Sequence, residues 1–259
     1  MRSGSHRPRK RFGQHFLHDP GVVARLLDAI RPGQGDFVVE IGPGEGVLTG
    51  KLLEQAGQLH AIEIDRDLAF RLAESFPRLI VHCADALEFD YAAFPPGFRL
   101  VGNLPYNIST PLLFHLARFA GRARDMHFML QLEVVERMVA RPSTPEYGRL
   151  SVTLQTRFRM EKLFKVGRGA FRPPPKVDSA VVRMVPLSPE KDFPEEHFQR
   201  IVRQAFSARR KTLRNALPLE AADYAALGID PRLRPENLAP GDYVRVARLL
   251  SRRTPRSCG

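Results

Sequence analysis

Three stretches place glycine and carboxylate where a nucleotide-like ligand can be held. The first is VVEIGPGEG, residues 38–46. Its apolar lead predicts a strand, and Gly42-Pro43-Gly44-Glu45-Gly46 predicts a tight turn into a helix. Glycine lets the backbone approach a ligand closely, and a helix N-terminus favours an electron-rich group. A purely structural turn would use the same residues. NAD, FAD and S-adenosylmethionine sites all begin this way, but the third glycine of the dinucleotide fingerprint falls on Val47, which breaks it. The second stretch is AIEID, residues 61–65, with Glu63 near a predicted strand end and 21 residues after Gly42. A carboxylate there can accept hydrogen bonds from both hydroxyls of a ribose. The plain alternative is a strand-end acid that caps the next helix, and Asp65 is better placed for that. The third is CADALEF, residues 83–89, where Asp85 follows another strand. It can accept from an adenine amino group or cap a helix turn. Three strand ends carrying a glycine loop, an acid and an acid, in that order, are hard to assemble by accident.

The fourth stretch is GNLPYN, residues 102–107. Asn103-Leu104-Pro105-Tyr106 resembles the [DNS]-P-P-[YF] signature of amino-group methyltransferases. An exocyclic amine is a poor nucleophile because its lone pair is delocalised into the ring. Two acceptors on its N–H groups, the Asn103 side-chain carbonyl and the Leu104 backbone carbonyl, favour a tetrahedral nitrogen with its lone pair aimed at a methyl group. Pro105 stiffens the loop, and Tyr106 can stack on a splayed-out base. Direct displacement at a sulfonium methyl calls for no metal, no covalent intermediate and no strong base, so positioning carries the chemistry.

These residues need strand ends to sit on, and the pattern supplies them. Asp19-Pro20 precedes the helical spacing Val22, Val23, Leu26, Leu27, Ile30, an N-cap followed by Pro in the first turn. Strands are predicted over residues 37–41, 59–64, 79–83, 98–102 and 127–130, with helices over 47–55, 67–76, 110–119 and 133–140 between and after them. Such alternation predicts an α/β fold, with a mainly parallel sheet covered by helices on both faces. A further strand is predicted at 181–185, and Pro186, Pro189 and Pro194 mark a linker. Helical spacing then resumes at Phe198, Ile201, Val202, Ala205 and Phe206, with short helices predicted over 209–216, 221–227 and 243–251. The expected division is a methyltransferase domain with a basic N-terminal arm over residues 1–189 and a small all-helical domain over 190–259.

The 259 residues carry 40 Lys+Arg against 28 Asp+Glu. Residues 1–11 hold five positive charges and no negative ones, residues 12–190 hold 21 and 20, and residues 191–259 hold 14 and 8. Basic ends around a nearly neutral middle predict a polyanion partner. With 43% hydrophobic and 26% charged residues the composition is that of a soluble globular protein. No run approaches a membrane span, and the basic N-terminus leads into no apolar segment of the secretory type. Cys83 and Cys258 are too few for a disulfide framework or a cysteine-rich zinc site, which predicts a reducing, cytoplasmic setting.

Taken together, the chain resembles the small-subunit (16S) ribosomal RNA adenine dimethyltransferases. The likeness runs through KRFGQHFL (10–17), VVEIGPGEGVLT (38–49), AIEIDRDL (61–68), GNLPYNISTPLLFHL (102–116), YGRLSV (147–152), FRPPPKVDSAVVR (171–183) and RRKTLRN (209–215). The resemblance implies a Rossmann-like domain that uses S-adenosylmethionine as donor. Its implied targets are two adjacent adenines in the 3'-terminal hairpin of 16S rRNA, each dimethylated at N6 during small-subunit biogenesis. It implies cofactor contacts at His15, Leu17, Gly42, Glu63, Asp85 and Asn103. Catalytic roles fall on Asn103, Leu104, Pro105 and Tyr106, with Phe171 sandwiching the target adenine against Tyr106. The family usually has Asn where this chain has His15; a backbone contact there survives the change and a side-chain amide contact does not. Arg209, Arg210, Lys211 and Arg214, with Arg7, Arg9, Lys10 and Arg11, are implied holders of RNA phosphates on a monomer.

Three other functions compete. The large-subunit (23S) adenine methyltransferases of macrolide resistance share the core motifs, although YGRLSV, FRPPPKVDSAVVR and RRKTLRN look more like the small-subunit family. A non-enzymatic assembly factor would not need Asn103-Leu104-Pro105-Tyr106 intact. An NAD-dependent dehydrogenase is opposed by Val47 and by the lack of a hydride-transfer acid–base pair.

Overall fold

The computed structural model describes residues 14–188 and 193–253. In chain order the elements are β1 (Phe16–Leu17), α1 (Pro20–Ile30), β2 (Phe37–Ile41), α2 (Val47–Gln55), β3 (Gln58–Glu63), α3 (Arg66–Ser75), β4 (Ile80–Cys83), β5 (Phe98–Asn103), α4 (Ser109–Ala117), β6 (Ala123–Gln131), α5 (Leu132–Val139), α6 (Arg149–Gln155), β7 (Phe158–Val166), β8 (Phe171–Arg172), β9 (Ser179–Pro186), α7 (Glu195–Ser207), α8 (Leu213–Ala216), α9 (Ala221–Leu227) and α10 (Pro240–Arg253).

The caps predicted for two helices are in place. Asp19 caps α1 by accepting from Gly21 and Val22 at 2.8 and 3.0 Å, with Pro20 beginning the helix. Asp65 caps α3 by accepting from the Asp67 amide at 3.0 Å, so Glu63 is free of that task. Each cap satisfies amides the helix itself leaves unpaired.

One sheet runs β4-β3-β2-β5-β6-β9-β7. The pairs β4–β3, β3–β2, β2–β5 and β5–β6 are parallel and β6–β9 is antiparallel. The register aligns Ile41 with Ile62, Glu63 with Cys83 and Asn103 with Met129, so these strands end at one edge of the sheet. A second, two-stranded antiparallel pair joins β1 to β8, setting Phe16 opposite Arg172 and Leu17 opposite Phe171. Val23, Leu26 and Ile30 of α1 and Leu48 and Leu52 of α2 cover Val38, Val101 and Met129 on one face of the large sheet. At roughly 25 cal/mol per Å² of apolar surface, this burial is the main driving force of the fold.

At the opposite edge from the strand C-termini, buried Arg99 binds Asp125 through Nε at 2.8 Å, Asp36 through Nη1 at 2.8 Å and the Ile30 carbonyl through Nη2 at 2.5 Å. A buried guanidinium is tolerated only with such full pairing. Here it fastens the end of α1 to the sheet.

The packing divides the chain into two units. One takes in the residues through Val135 together with Arg159–Pro186, and the other Glu136–Phe158 with the chain from Leu187 onward. This differs from a single boundary after residue 189, and the second core gives the reason. Tyr147 and Val152 are fully buried against Phe198, Ile201, Val202 and Ala205, and the Tyr147 hydroxyl donates to the Leu238 carbonyl at 2.9 Å. A short apolar helix such as α6 has no stable existence alone, and it packs with α7 and α10.

Some elements depart from the pattern read in the sequence. The strand β7, FRMEKLFKV, is absent from it because its charges interrupt period-two alternation. They do so because β7 is an edge strand, where exposed charge opposes pairing with other chains. The helix expected over 209–216 begins only at Leu213, since Thr212 is extended and Ala208–Lys211 form a turn. No helix among the described residues is long and apolar enough to cross a membrane.

Candidate active site

Above the C-terminal ends of β2, β3, β4 and β5 lies a cleft of about 250 Å³. Gly42, Glu63, Asp85 and Asn103 all line it, as do His15, Leu104, Pro105 and Tyr106. The tertiary structure thus brings together eight residues spread over more than ninety positions of sequence. The first glycine turns with φ +67°, and a side chain there would meet the Asn103 carbonyl at 3.7 Å from inside the cleft. Its amide donates to the Ile62 carbonyl at 3.0 Å, so the Cα and carbonyl of Gly42 are what it offers a ligand. Gly102 is required for another reason: a Cβ there would lie 2.4 Å from the Ile41 carbonyl, so only glycine lets β5 approach β2 just below the site.

Glu63 is buried, and its carboxylate accepts from the Asp65 amide at 2.9 Å and the Gly44 amide at 3.4 Å. Burial pushes its carboxyl above the usual range, against the lowering effect of those amides. Asp85 accepts from the Leu87 amide at 2.8 Å through one carboxylate oxygen, which fixes the turn after β4.

At the end of β5 the Asn103 amide nitrogen donates to the backbone carbonyl of His15 at 2.8 Å. Only the nitrogen of an amide can donate to a carbonyl, so Oδ1 is the atom left to accept from a substrate. The contact is to the His15 backbone and not to its side chain. The His15 imidazole does something else. Its Nδ1 donates to the Pro173 carbonyl at 2.8 Å, and its ring lies 5.4 Å from the Tyr106 ring with a 33° tilt. The Tyr106 hydroxyl shares a 2.5 Å hydrogen bond with buried Ser179 on β9. Burial raises the Tyr106 pKa, partly countered by that bond, so the ring is presented as a neutral phenol.

Two expected residues are elsewhere. Phe171 is 2% exposed and packs in the core with Leu17, Val166, Ala170 and Val181. It does not line the cleft, so the sandwich of Phe171 against Tyr106 is corrected: pairing of β8 with β1 turns Phe171 inward. Leu17 is likewise buried in that core and lines only a smaller adjoining cavity of about 40 Å³. Conversely, Phe16, Ile64, Ala86 and Ile108 line the cleft without having been singled out. Ser179 was also passed over, although it lies inside the FRPPPKVDSAVVR motif; nothing local marks it as the partner of a tyrosine 73 residues away.

In the helical unit, Arg209 donates to Glu236 at 2.6 Å and to the Pro145 carbonyl at 2.8 Å. Those partners fix how Arg209 is held on the helical unit. Arg210, Lys211 and Arg214 are exposed. Arg7, Arg9, Lys10 and Arg11 lie outside the described residues.

The description "Ribosomal RNA adenine dimethylase" matches residues 5–252. The chain belongs to that family. A ribosomal RNA small subunit methyltransferase A of Aromatoleum aromaticum is 57% identical over 258 residues, 97% of each chain. One of the same description from Thiobacillus denitrificans is 56% identical, covering 96% of this chain and all of that one. Among solved structures, a dimethyladenosine transferase of Plasmodium falciparum is 28% identical with TM-score 0.79, covering 92% of this chain and 97% of that one. The 23S rRNA methyltransferase ErmE is also 28% identical, with TM-score 0.69 and coverage of 91% and 99%.

This adenine dimethylase is therefore an enzyme that uses S-adenosylmethionine to methylate ribosomal RNA adenine. The cleft fits that donor: a buried carboxylate, a second carboxylate and a positive-φ glycine turn face one cavity. When bound, S-adenosylmethionine supplies an electrophilic methyl group on sulfur. Within the cleft, Asn103 Nδ2 is committed to the His15 carbonyl, which leaves Oδ1 as a fixed acceptor. Preorganised acceptors of this kind cost no reorganisation during reaction.

Proposed function

We propose that the chain transfers methyl groups from S-adenosylmethionine to N6 of two adjacent adenines in the 3'-terminal hairpin of 16S rRNA, in the small ribosomal subunit or its precursor. The Asn103–His15 hydrogen bond carries the catalytic part of this reading, because it aims an acceptor at the cleft beside Tyr106. Asn103 Oδ1 and the Leu104 carbonyl accept from the amine, Pro105 holds the loop and Tyr106 stacks on the base. Glu63 takes the cofactor ribose, Asp85 its adenine amino group, and Gly42 and the backbone at His15 the rest. The choice of subunit is supported by full-length relatives at 57% and 56% identity that are named for the small subunit, against 28% for the 23S methyltransferase. Arg210, Lys211 and Arg214 of the helical unit hold RNA phosphates. The enzyme works as a cytoplasmic monomer during subunit assembly.

Methyl transfer from labelled S-adenosylmethionine to unmethylated small and large subunits, in parallel, tests this. Dimethyladenosine in the small-subunit hairpin is the expected product. Label confined to large-subunit RNA would move the function to the resistance methyltransferases. Binding to small subunits without transfer would leave an assembly factor.

A further inference from the structure

The middle of the chain is nearly neutral as a whole, but not evenly. Residues 159–178 hold six Lys/Arg against two acids, so the rest of residues 12–190 is net negative. Part of this local charge has an ordinary explanation. Arg159, Lys162 and Lys165 stand on β7, an edge strand, where cations prevent strand addition, and Lys165 is paired with Asp178 at 2.7 Å. Arg168, Arg172 and Lys176 are outside β7 and need another account. All three are exposed, and neither Arg172 nor Lys176 has an ion pair among the described residues.

These three cations sit on a strap, residues 168–178, that is fixed at both ends and is tied to two residues of the cleft wall, His15 through the Pro173 carbonyl and Tyr106 through the following Ser179. Phe171 anchors it in the core, and the Ala170 carbonyl accepts from the His18 amide at 3.0 Å. The Asp178 carbonyl accepts from the Leu132 amide at 2.9 Å, and Ser179 follows as the partner of Tyr106. Between these anchors the Pro173 carbonyl receives the His15 imidazole. Pro173, Pro174 and Pro175 stiffen the segment further. Arg168 reaches back across it to the Lys176 carbonyl at 3.4 Å. A stiff, anchored segment presents cations at little entropic cost on binding, and two of its anchors are the side chains that face the cleft, His15 and Tyr106.

We propose that Arg168, Arg172 and Lys176 form a phosphate clamp for the RNA strand that flanks the target adenine. The clamp rests on the reading that Tyr106 receives that adenine. It gives the catalytic unit its own hold on RNA, in addition to the cations of the helical unit. It contacts phosphate and therefore carries no base preference of its own.

The test is the triple variant Arg168→Gln, Arg172→Gln, Lys176→Gln, with Arg159→Gln, Lys162→Gln as a control on the edge strand. RNA binding is measured from low to physiological salt. The clamp predicts that the slope of log K against log salt falls by about 0.7–0.9 per contact, roughly 2–3 in all. At physiological salt the KM for RNA rises on the order of tenfold to a hundredfold. Turnover at saturating RNA, cofactor affinity and melting temperature stay as in the wild type, and the control keeps the wild-type slope. An unchanged slope in a folded triple variant overturns the clamp, as does an equal fall in the control. Should the triple variant not fold, the single exposed changes Arg172→Gln and Lys176→Gln are each read against one contact's worth of slope. Failure of the wild type to methylate small-subunit RNA would instead remove the underlying reading.

Discussion

The side-chain amide of Asn103 and the backbone carbonyl of His15, 88 positions apart, meet at 2.8 Å. The bond occupies the nitrogen end of the amide and leaves its oxygen to accept. It also ties the chain just before β1 to the last residue of β5, so the acceptor and the wall of the cleft are ordered together.

Replacing Asn103 by Ala removes both the acceptor and this tie. Single-turnover methyl transfer should fall at least a hundredfold, the usual cost of losing a preorganised polar group at the reacting atoms, while cofactor affinity changes by less than about tenfold. His15→Asn keeps the backbone carbonyl and should stay within about fivefold of wild type. A His15→Asn loss as large as that of Asn103→Ala would show that the imidazole, not the carbonyl, matters.

Tyr106 and Phe171 should separate cleanly. Tyr106→Ala removes a stacking surface worth about 1–3 kcal/mol, so KM for RNA should rise roughly 5- to 150-fold with little change in melting temperature. Tyr106→Phe loses only the bond to Ser179 and should retain most activity. Phe171→Ala empties a core site and should cost about 3–5 kcal/mol of stability. Phe171→Leu, which restores most of the volume, should methylate normally below its melting temperature. A large rise in KM for Phe171→Leu without loss of stability would return Phe171 to the base-binding surface.

Glu63 accepts with both oxygens, and with charge assistance, only while ionised, and burial holds its carboxyl above the ordinary glutamate value. Cofactor affinity should therefore begin to weaken on acidification at a higher pH than an exposed carboxylate would give. Isothermal titration across pH 4–8 checks this. Glu63→Gln should lower affinity about 10- to 100-fold at neutral pH, as expected for lost charge-assisted bonds, and flatten the dependence.

Glu40, fully buried under the glycine turn, has its carboxyl pushed up from 4.5 to about 7, chiefly by burial, with the nearby Glu63 carboxylate adding and the Thr49 hydroxyl bond opposing. The sign follows from proton binding. Below 4.5 both folded and unfolded chains hold the proton and there is no penalty. Between 4.5 and 7 the unfolded chain releases it first, so stability falls as pH rises, and above 7 the loss is complete. The total is about 3 kcal/mol. The difference in melting temperature between Glu40→Gln and wild type should open in favour of the variant across that interval. Parallel curves from pH 4 to 8 would contradict the assignment.

Much of this protein is legible from local pattern. Period-two and helical spacing, with Asp19 and Asp65 as caps, give the strand–helix alternation, and that alternation alone implies a parallel sheet whose strand ends form an edge. Gly42, Asp85 and Asn103 each follow a predicted strand and Glu63 lies near the end of one, so their meeting could be expected from topology. What local pattern does not hold is any contact whose two halves are distant and individually unremarkable. The pairing of β1 with β8 turned Phe171 into the core, and no periodicity over two-residue strands announces it. Glu236 and the Pro145 carbonyl hold Arg209 in a run that reads as uniformly basic. Residues 136–158 joined the helical unit because Tyr147 finds its apolar neighbours there. Sequence determined the elements and the chemistry that their ends can carry, because both depend on residues a few positions apart. Tertiary structure decided which side chains face the cleft, because that depends on pairings made across the whole chain.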